Sequence, residues 1–217
     1  MTTTAAIRHG VPLPMLCITG TVFCLATGPS LTPADVDAVR GRGTVIAVND
    51  AHRLAPWADV LYSSDRYWWN HYRGVPGFGG LRATIEFSPG RYAKELLKWA
   101  PEMFFLRHTG HQGVETDPSG IRTCGQNSGG AAVNLAVHLG ARRIVLLGYD
   151  CGVPGSKRHF FGDHPRNLSA LSPYPTWRAA FETMREPLDV LGIDVVNCSR
   201  STAINAFRCA PLEEVLS

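Results

Sequence analysis

Residues 128–147 leave the chain few folds to choose from. Residues 128–139 read as a helix with small and apolar residues on most faces, among them Ala131, Ala132, Val133, Leu135 and Ala136. Gly140 ends it, and Arg143-Ile144-Val145-Leu146-Leu147 follows as a strand that is apolar on both faces. A buried helix, a short turn and a two-sided apolar strand are the signature of a parallel sheet covered by helices on both faces. An antiparallel sheet with one wet face would alternate apolar and polar residues instead.

The rest of the chain repeats this unit. Residues 21–26 form a buried strand, and Gly28-Pro29-Ser30 ends it. Thr32 then suits a helix N-cap, with Pro33 at the first helical position and Asp35 at the third. That helix stops at Gly41. Residues 44–48 and 58–63 are further buried strands, and Asp65 can cap the aromatic helix that begins Tyr67-Trp68-Trp69. Residues 82–87 alternate weakly as a strand inside a glycine-rich stretch. Residues 93–99 read as a helix, 103–106 as a strand, and 107–126 as polar and irregular. After a long loop over 148–175, residues 176–191 form an amphipathic helix kinked or broken at Pro187. A final strand covers 193–196.

This alternation predicts α/β architecture: a single Rossmann-like domain with a mostly parallel sheet, helices on both faces and a long lid loop in the C-terminal half. The domain is expected to span residues 21–217. Residues 1–20 lack the basic start of a signal peptide and read as a flexible lead-in. The length of 217 residues suits one domain. With 45% hydrophobic and 18% charged residues, disorder and coiled coil are excluded. No apolar run reaches the ~18 residues of a membrane span. A net charge of +3 does not indicate nucleic acid, although it does not exclude it. The six cysteines show no CxxC pairing and several fall in apolar runs, which favours a reducing, cytoplasmic setting. The sequence leaves the oligomeric state open, a homo-oligomer included.

In such sheets the ligand sits beyond the carboxyl ends of the strands, where strand order reverses. The residues after each strand are therefore the candidates. Thr27, Gly28, Pro29 and Ser30 precede a helix N-terminus, whose N–H groups suit a phosphate; a plain turn also accounts for them. Asn49 can read a base or ribose edge, or only close its turn. Asp65 can bind a ribose hydroxyl or cation, or only cap its helix. Asn127, Ser128 and Gly129 open the small-residue helix and form a second anion-suited terminus, with capping and close packing as the plainer reading. Tyr149 and Asp150 follow the 143–147 strand, and Asn197 and Ser199 follow the last. Two phosphate-suited helix starts on one sheet favour a nucleotide.

The long loop holds Lys157, Arg158, His159, Asp163 and His164. A histidine near a carboxylate can serve as a general base, and the cations would attract a phosphorylated ligand; a solvated basic loop is the plainer reading. His108 and His111, with His159, Asp163 and His164, also leave a nitrogen/oxygen metal site open. Tyr67, Trp68 and Trp69 can stack on a base or sugar, or pack in the core.

The run Cys24-Leu-Ala-Thr-Gly-Pro-Ser-Leu31, then Val48-Asn49, Asn127-Ser-Gly129, Gly148-Tyr-Asp150, Val196-Asn-Cys-Ser-Arg-Ser201 and Ala206-Phe207, resembles the bacterial CMP-sialic-acid-dependent sialyltransferases that cap lipooligosaccharide. The order agrees from about residue 21 to 216. The resemblance implies a nucleotide-sugar donor, such as a CMP- or UDP-sugar, an inverting transfer to a small or glycan hydroxyl acceptor, and no metal requirement. It implies that the Gly-Pro-Ser turn and the Ser128-Gly129 helix start hold the nucleotide monophosphate and that Asn49 faces the donor. His164 matches the family's loop base by position. The family's phosphate-holding tyrosines are missing after Asp150, so Lys157, Arg158 or Tyr174 would stabilise the leaving group. The same turn and helix are similar to the 6-hydroxymethylpterin diphosphokinase MptE-like proteins. That resemblance implies ATP and Mg²⁺, with Asp65 and Asp150 as metal ligands. A non-catalytic nucleotide-binding protein is the third reading.

Overall fold

The structure is a computed structural model that describes residues 8–9, 13–14, 20–86, 91–152, 158–163, 168 and 172–217. The strands are β1 (Arg8–His9), β2 (Thr21–Leu25), β3 (Thr44–Val48), β4 (Val60–Tyr62), β5 (Leu81–Ile85), β6 (Met103–Gly110), β7 (Gly120–Arg122), β8 (Arg143–Leu147), β9 (Asp194–Asn197) and β10 (Arg208–Cys209). The helices are α1 (Pro33–Val39), α2 (Arg66–His71), α3 (Arg91–Trp99), α4 (Ser128–His138), α5 (Tyr174–Val190) and α6 (Leu212–Leu216), with a 3₁₀ turn at Asn49–Arg53. The sheet runs β1-β6-β5-β4-β3-β2-β8-β9-β10, every pair is parallel, and β7 pairs with the end of β6. The fold is Rossmann-like α/β, as expected from the alternation of elements.

Two apolar layers hold the sheet. Alternate residues of each strand feed opposite layers: Val22, Cys24, Ile46, Ile144 and Leu146 face α4 and α5, while Phe23, Leu25, Val45, Val145 and Leu147 face α1, α2, α3 and α6. That is why β2, β3 and β8 read as unbroken apolar runs. The chain moves from β2 outward through β3 to one edge, then returns through α4 to place β8 on the other side of β2. The switch point therefore lies between β2 and β8.

Several expectations need correction. The 107–126 stretch is not irregular throughout: β6 continues to Gly110 and β7 pairs with its polar half. α5 runs through Pro187, because Phe181, Met184 and Leu188 bury its inner face on both sides of the proline. Within the lead-in, Arg8 and His9 pair with Phe104 and Phe105, and Leu13 is buried in the core. Trp68 and Trp69 take the core role that was one of the two read for them, whereas Tyr67 is 57% exposed. Cys24, Cys124 and Cys198 are buried free thiols.

Three histidines make acid stability sensitive to pH. Burial holds His52, His108 and His138 below the ordinary imidazole value of 6.5. The unfolded chain then binds more protons than the folded one as pH falls through about 6.5, so their stabilising contribution is complete above that value and lost below it. The melting temperature is expected to drop between pH 7.5 and 5.5 in a calorimetric series. His138→Gln, which removes the ring bonded to the Gly120 carbonyl at 2.9 Å, is expected to flatten that slope. An unchanged slope in this variant contradicts the assignment.

Candidate functional site

The C-terminal strand ends form one cavity of about 760 Å³. Its lining runs from His108 on β6 past Ile85, Ser64, Val48 and Ala26 to Gly148 after β8. Those six neighbouring strands, at ~4.8 Å spacing, give a floor roughly 24 Å across. Thr27, Gly28, Pro29, Asn49, Asp65, Asn127, Ser128, Gly129, Tyr149, Asp150, Arg158, His159 and Tyr174 all line it. The sequence-level candidates thus converge, although not all in the expected roles.

At the switch point the turn is stapled to itself. The Gly28 amide donates to the Gly148 carbonyl at 2.9 Å, and a Cβ on Gly28 would overlap that carbonyl and the Asp150 carboxylate. Ser30 donates to Asp150 from its amide at 2.9 Å and its hydroxyl at 2.6 Å. Burial raises the Asp150 carboxyl above the usual range, and the Ser30 bonds oppose that rise. Ser30 is therefore consumed by Asp150 and does not line the cavity. The start of α1 is also occupied: Thr32 and Asp35 form a capping box, and Arg200 forks onto Asp35. A carboxylate already sits where the first phosphate was expected. Arg200 explains the depressed Asp35 carboxyl once burial, the largest and opposing influence, is overcome.

Asn197 and Ser199 need the same correction. Asn197 is fully buried; its amide donates to Thr202 at 3.0 Å and its carbonyl accepts from the Ser199 amide at 3.0 Å. The Ser199 hydroxyl accepts from the Tyr149 amide at 2.7 Å. This buckle joins the ends of β8 and β9 and does not reach the cavity.

The α4 terminus is built for closeness. Asn127 accepts from the Gly130 amide at 2.8 Å, and the Ser128 hydroxyl accepts from the Ser64 amide at 3.0 Å. Tyr149 donates to the Gly129 carbonyl at 3.0 Å, and its ring crowds any Cβ at Gly129. Asp65 caps α2 by accepting from the Tyr67 amide at 2.7 Å, and also lines the cavity.

Asn49 differs from these. It sits at φ 49°, a left-handed conformation, and its Oδ1 is buried with no hydrogen-bond partner among the described residues. Gln126 at φ 67° and Cys151 at φ 53° also line the cavity, and Cys124 at φ 44° lies beside them. Non-glycine residues held this way cost of order 1–3 kcal/mol each and gather at functional sites.

From the loop, His159 reaches Thr27: its Nδ1 lies 3.1 Å from the Thr27 hydroxyl, and its ring stacks on Phe161 at 5.0 Å. Tyr174 packs its ring edge-on against Trp177 at 5.4 Å. Asp163 is exposed and does not line the cavity. Lys157 and His164 lie outside the described residues. Among the described residues no three of histidine, cysteine, aspartate and glutamate form a group able to hold a metal, so His108, His111, His159 and Asp163 are not brought together as one.

Sequence reasoning missed Ser64, Arg66, Thr123, Gln126 and Trp177, all in the lining, and gave His108 and His111 only a metal role. The strand-end rule finds the two histidines once β6 is extended past Arg107.

The sialyltransferase CstII from Campylobacter jejuni, solved in complex with a substrate analogue, cytidine-5′-monophosphate, superposes on this fold with a TM-score of 0.55. The two are 16% identical, and the match covers 88% of this chain and 85% of that one. The likeness is one of fold alone. No family model matches the chain, and no curated protein matches it by sequence. No helix among the described residues is long and apolar enough to cross a membrane.

Proposed function

We propose that this protein is a glycosyltransferase-like enzyme that binds a nucleotide-activated sugar beyond β2, β3 and β8 and passes the sugar to a hydroxyl acceptor. The observation that carries this reading is the Asn49 Oδ1: a buried acceptor without a partner, fixed in the wall of a large cavity at the switch point. A ligand donor such as a base amino group or a ribose hydroxyl would satisfy it. The fold likeness to an enzyme solved with CMP makes CMP the first nucleotide to test.

In this reading the α4 terminus at Ser128 and Gly129 holds the phosphate, whose charge its peptide dipoles favour. Arg158, Lys157 and Tyr174 stabilise that phosphate as it leaves. The acceptor oxygen bonds to the anomeric carbon, the carbon–phosphate oxygen bond breaks, and its electron pair leaves with the nucleotide. A histidine takes the acceptor proton. The loop supplies His159 and His164, and the cavity wall supplies two more.

A thermal-shift screen with CMP, CDP, UDP, GDP, ADP and ATP, with and without magnesium, tests the reading. A nucleotide at 100 times its dissociation constant is expected to stabilise the fold by about 2.7 kcal/mol. Asn49→Ala is expected to weaken that binding about ten-fold, the worth of one buried hydrogen bond. If no nucleotide shifts the melting temperature, the reading fails. Binding without turnover of any nucleotide-sugar would favour a non-catalytic binder, and turnover abolished by EDTA would favour an ATP-dependent diphosphokinase.

A further inference from the structure

On the wall opposite Thr27, β6 and β7 bring His108, His111 and Thr123 together. The two imidazole centroids are 4.6 Å apart. His108 Nε2 lies 2.9 Å from the Gly110 carbonyl and 3.1 Å from the Thr123 hydroxyl, and His111 Nδ1 lies 2.8 Å from that same hydroxyl. The backbone welds this group to the start of α4. The Thr123 amide donates to the Gly110 carbonyl at 3.0 Å, the Gly125 amide to the His111 carbonyl at 2.8 Å, and the Asn127 amide to the Thr123 carbonyl at 2.7 Å. Both histidines are exposed on the cavity wall.

The contacts constrain where the protons sit. A carbonyl oxygen only accepts, so the Gly110 contact places a proton on His108 Nε2. Thr123 cannot donate to a nitrogen that already carries a proton, and its hydroxyl hydrogen goes to His111 Nδ1. Among the described residues nothing bonds His108 Nδ1, which is left as an acceptor.

We propose that His108, Thr123 and His111 form a proton relay in which His108 Nδ1 is the general base for the acceptor hydroxyl. The proposal rests on the transferase reading and assigns its acid–base group. As the acceptor oxygen bonds to the anomeric carbon, its proton passes to His108 Nδ1. The His108 Nε2 proton moves to the Thr123 oxygen, and the Thr123 proton moves to His111 Nδ1. The new positive charge ends on His111, and the electron pair of the broken bond leaves with the nucleotide phosphate. Partial burial, and then the neighbouring His111, hold His108 below the usual imidazole range, so it is neutral and ready to accept at pH 7. His159 is held at Thr27 on the opposite wall and takes no part in the relay.

Two measurements test this. In ¹⁵N-labelled protein, long-range imidazole correlations at pH 7, assigned with His108→Gln and His111→Gln, are expected to show the His108 proton on Nε2 and His111 Nδ1 accepting from the Thr123 hydroxyl. A proton on His108 Nδ1, or a charged pair, overturns the relay whether or not any substrate is known. In turnover of CMP-sialic acid with lactose, His108→Gln is expected to lower kcat at least ~100-fold while CMP affinity is unchanged. Thr123→Val is expected to lower kcat about ten-fold, the worth of one hydrogen bond, and Thr123→Ser to restore most of the loss. His108→Gln with wild-type turnover, or loss of turnover only in His159→Ala or His164→Ala, overturns the proposal and leaves the transferase reading standing. Failure of CMP and every other nucleotide to bind removes the transferase reading and leaves the imidazole measurement to decide the relay.

Discussion

Replacing Trp68 with alanine is expected to cost about 3–5 kcal/mol of folding stability, read from urea denaturation. The side chain is 2% exposed and packs edge-on against Trp69 at 4.9 Å. Its Nε1 donates to the Asp50 carboxylate at 2.8 Å, and Tyr72 donates to the other oxygen. Asp50 is fully buried, so loss of the indole leaves a cavity and an undersupplied carboxylate together. Burial, and then the hydrogen bond to Asp50 and its charge, push the Tyr72 hydroxyl up to about 12, so it remains a donor at any working pH. Trp68→Phe keeps most of the volume and is expected to cost only the donor, about 1–3 kcal/mol. The consequence reaches the site. Asp50 follows Asn49 in the 3₁₀ turn, and this anchor holds the turn whose first residue is left-handed. Trp68→Ala should therefore weaken the proposed nucleotide binding as well as folding. A loss below ~2 kcal/mol, outside the range for a buried tryptophan, would show that the aromatic cluster is not the anchor.

The parts of the fold that were legible in the sequence are those fixed by local chemistry. Thr44–Val48 and Arg143–Leu147 are apolar on both faces because helices cover both, and their boundaries follow from composition alone. Thr32, Asp65 and Asn127 cap helices because short polar side chains before an apolar run satisfy the first amides. What was hidden depends on partners remote in sequence. Arg107 and His108 look like loop residues, and only the pairing with β7 makes them strand. Arg208 and Cys209 pair with Val196 and Asn197 at the far edge, where two residues carry no periodic signal. The same limit governs the site. Strand-end position put Asn49 and Asn127 in the cavity wall, but it could not tell that Ser30 spends its hydroxyl on Asp150, 120 residues away, or that Ser199 is spent on Tyr149. His108 and His111 were given only a metal role because the strand that leads to them was ended too soon.

Gly130 tests how tightly the α4 terminus is built, and its expected outcome is a reversal. A Cβ at position 130 would overlap the Cβ of Cys124 and stand 2.6 Å from its sulfur. Gly130→Ala is therefore expected to destabilise by about 1–3 kcal/mol through overpacking, although alanine is the better helix former by about 1 kcal/mol. Cys124 is itself a β-carbon residue held at φ 44°, where glycine is favoured. Exchanging the two, Cys124→Gly with Gly130→Ala, removes the overlap, relieves the left-handed cysteine and puts a methyl group into the space the thiol leaves. The double variant is expected to be at least as stable as the wild type, with a coupling of about 1–3 kcal/mol in the mutant cycle. Because the Gly125 and Asn127 amides hang on the same loop, Gly130→Ala is also expected to weaken the proposed CMP binding, and the double variant to restore it. Additive losses in the double variant would mean that the contact between the loop and the first turn of α4 does not set the geometry of the site.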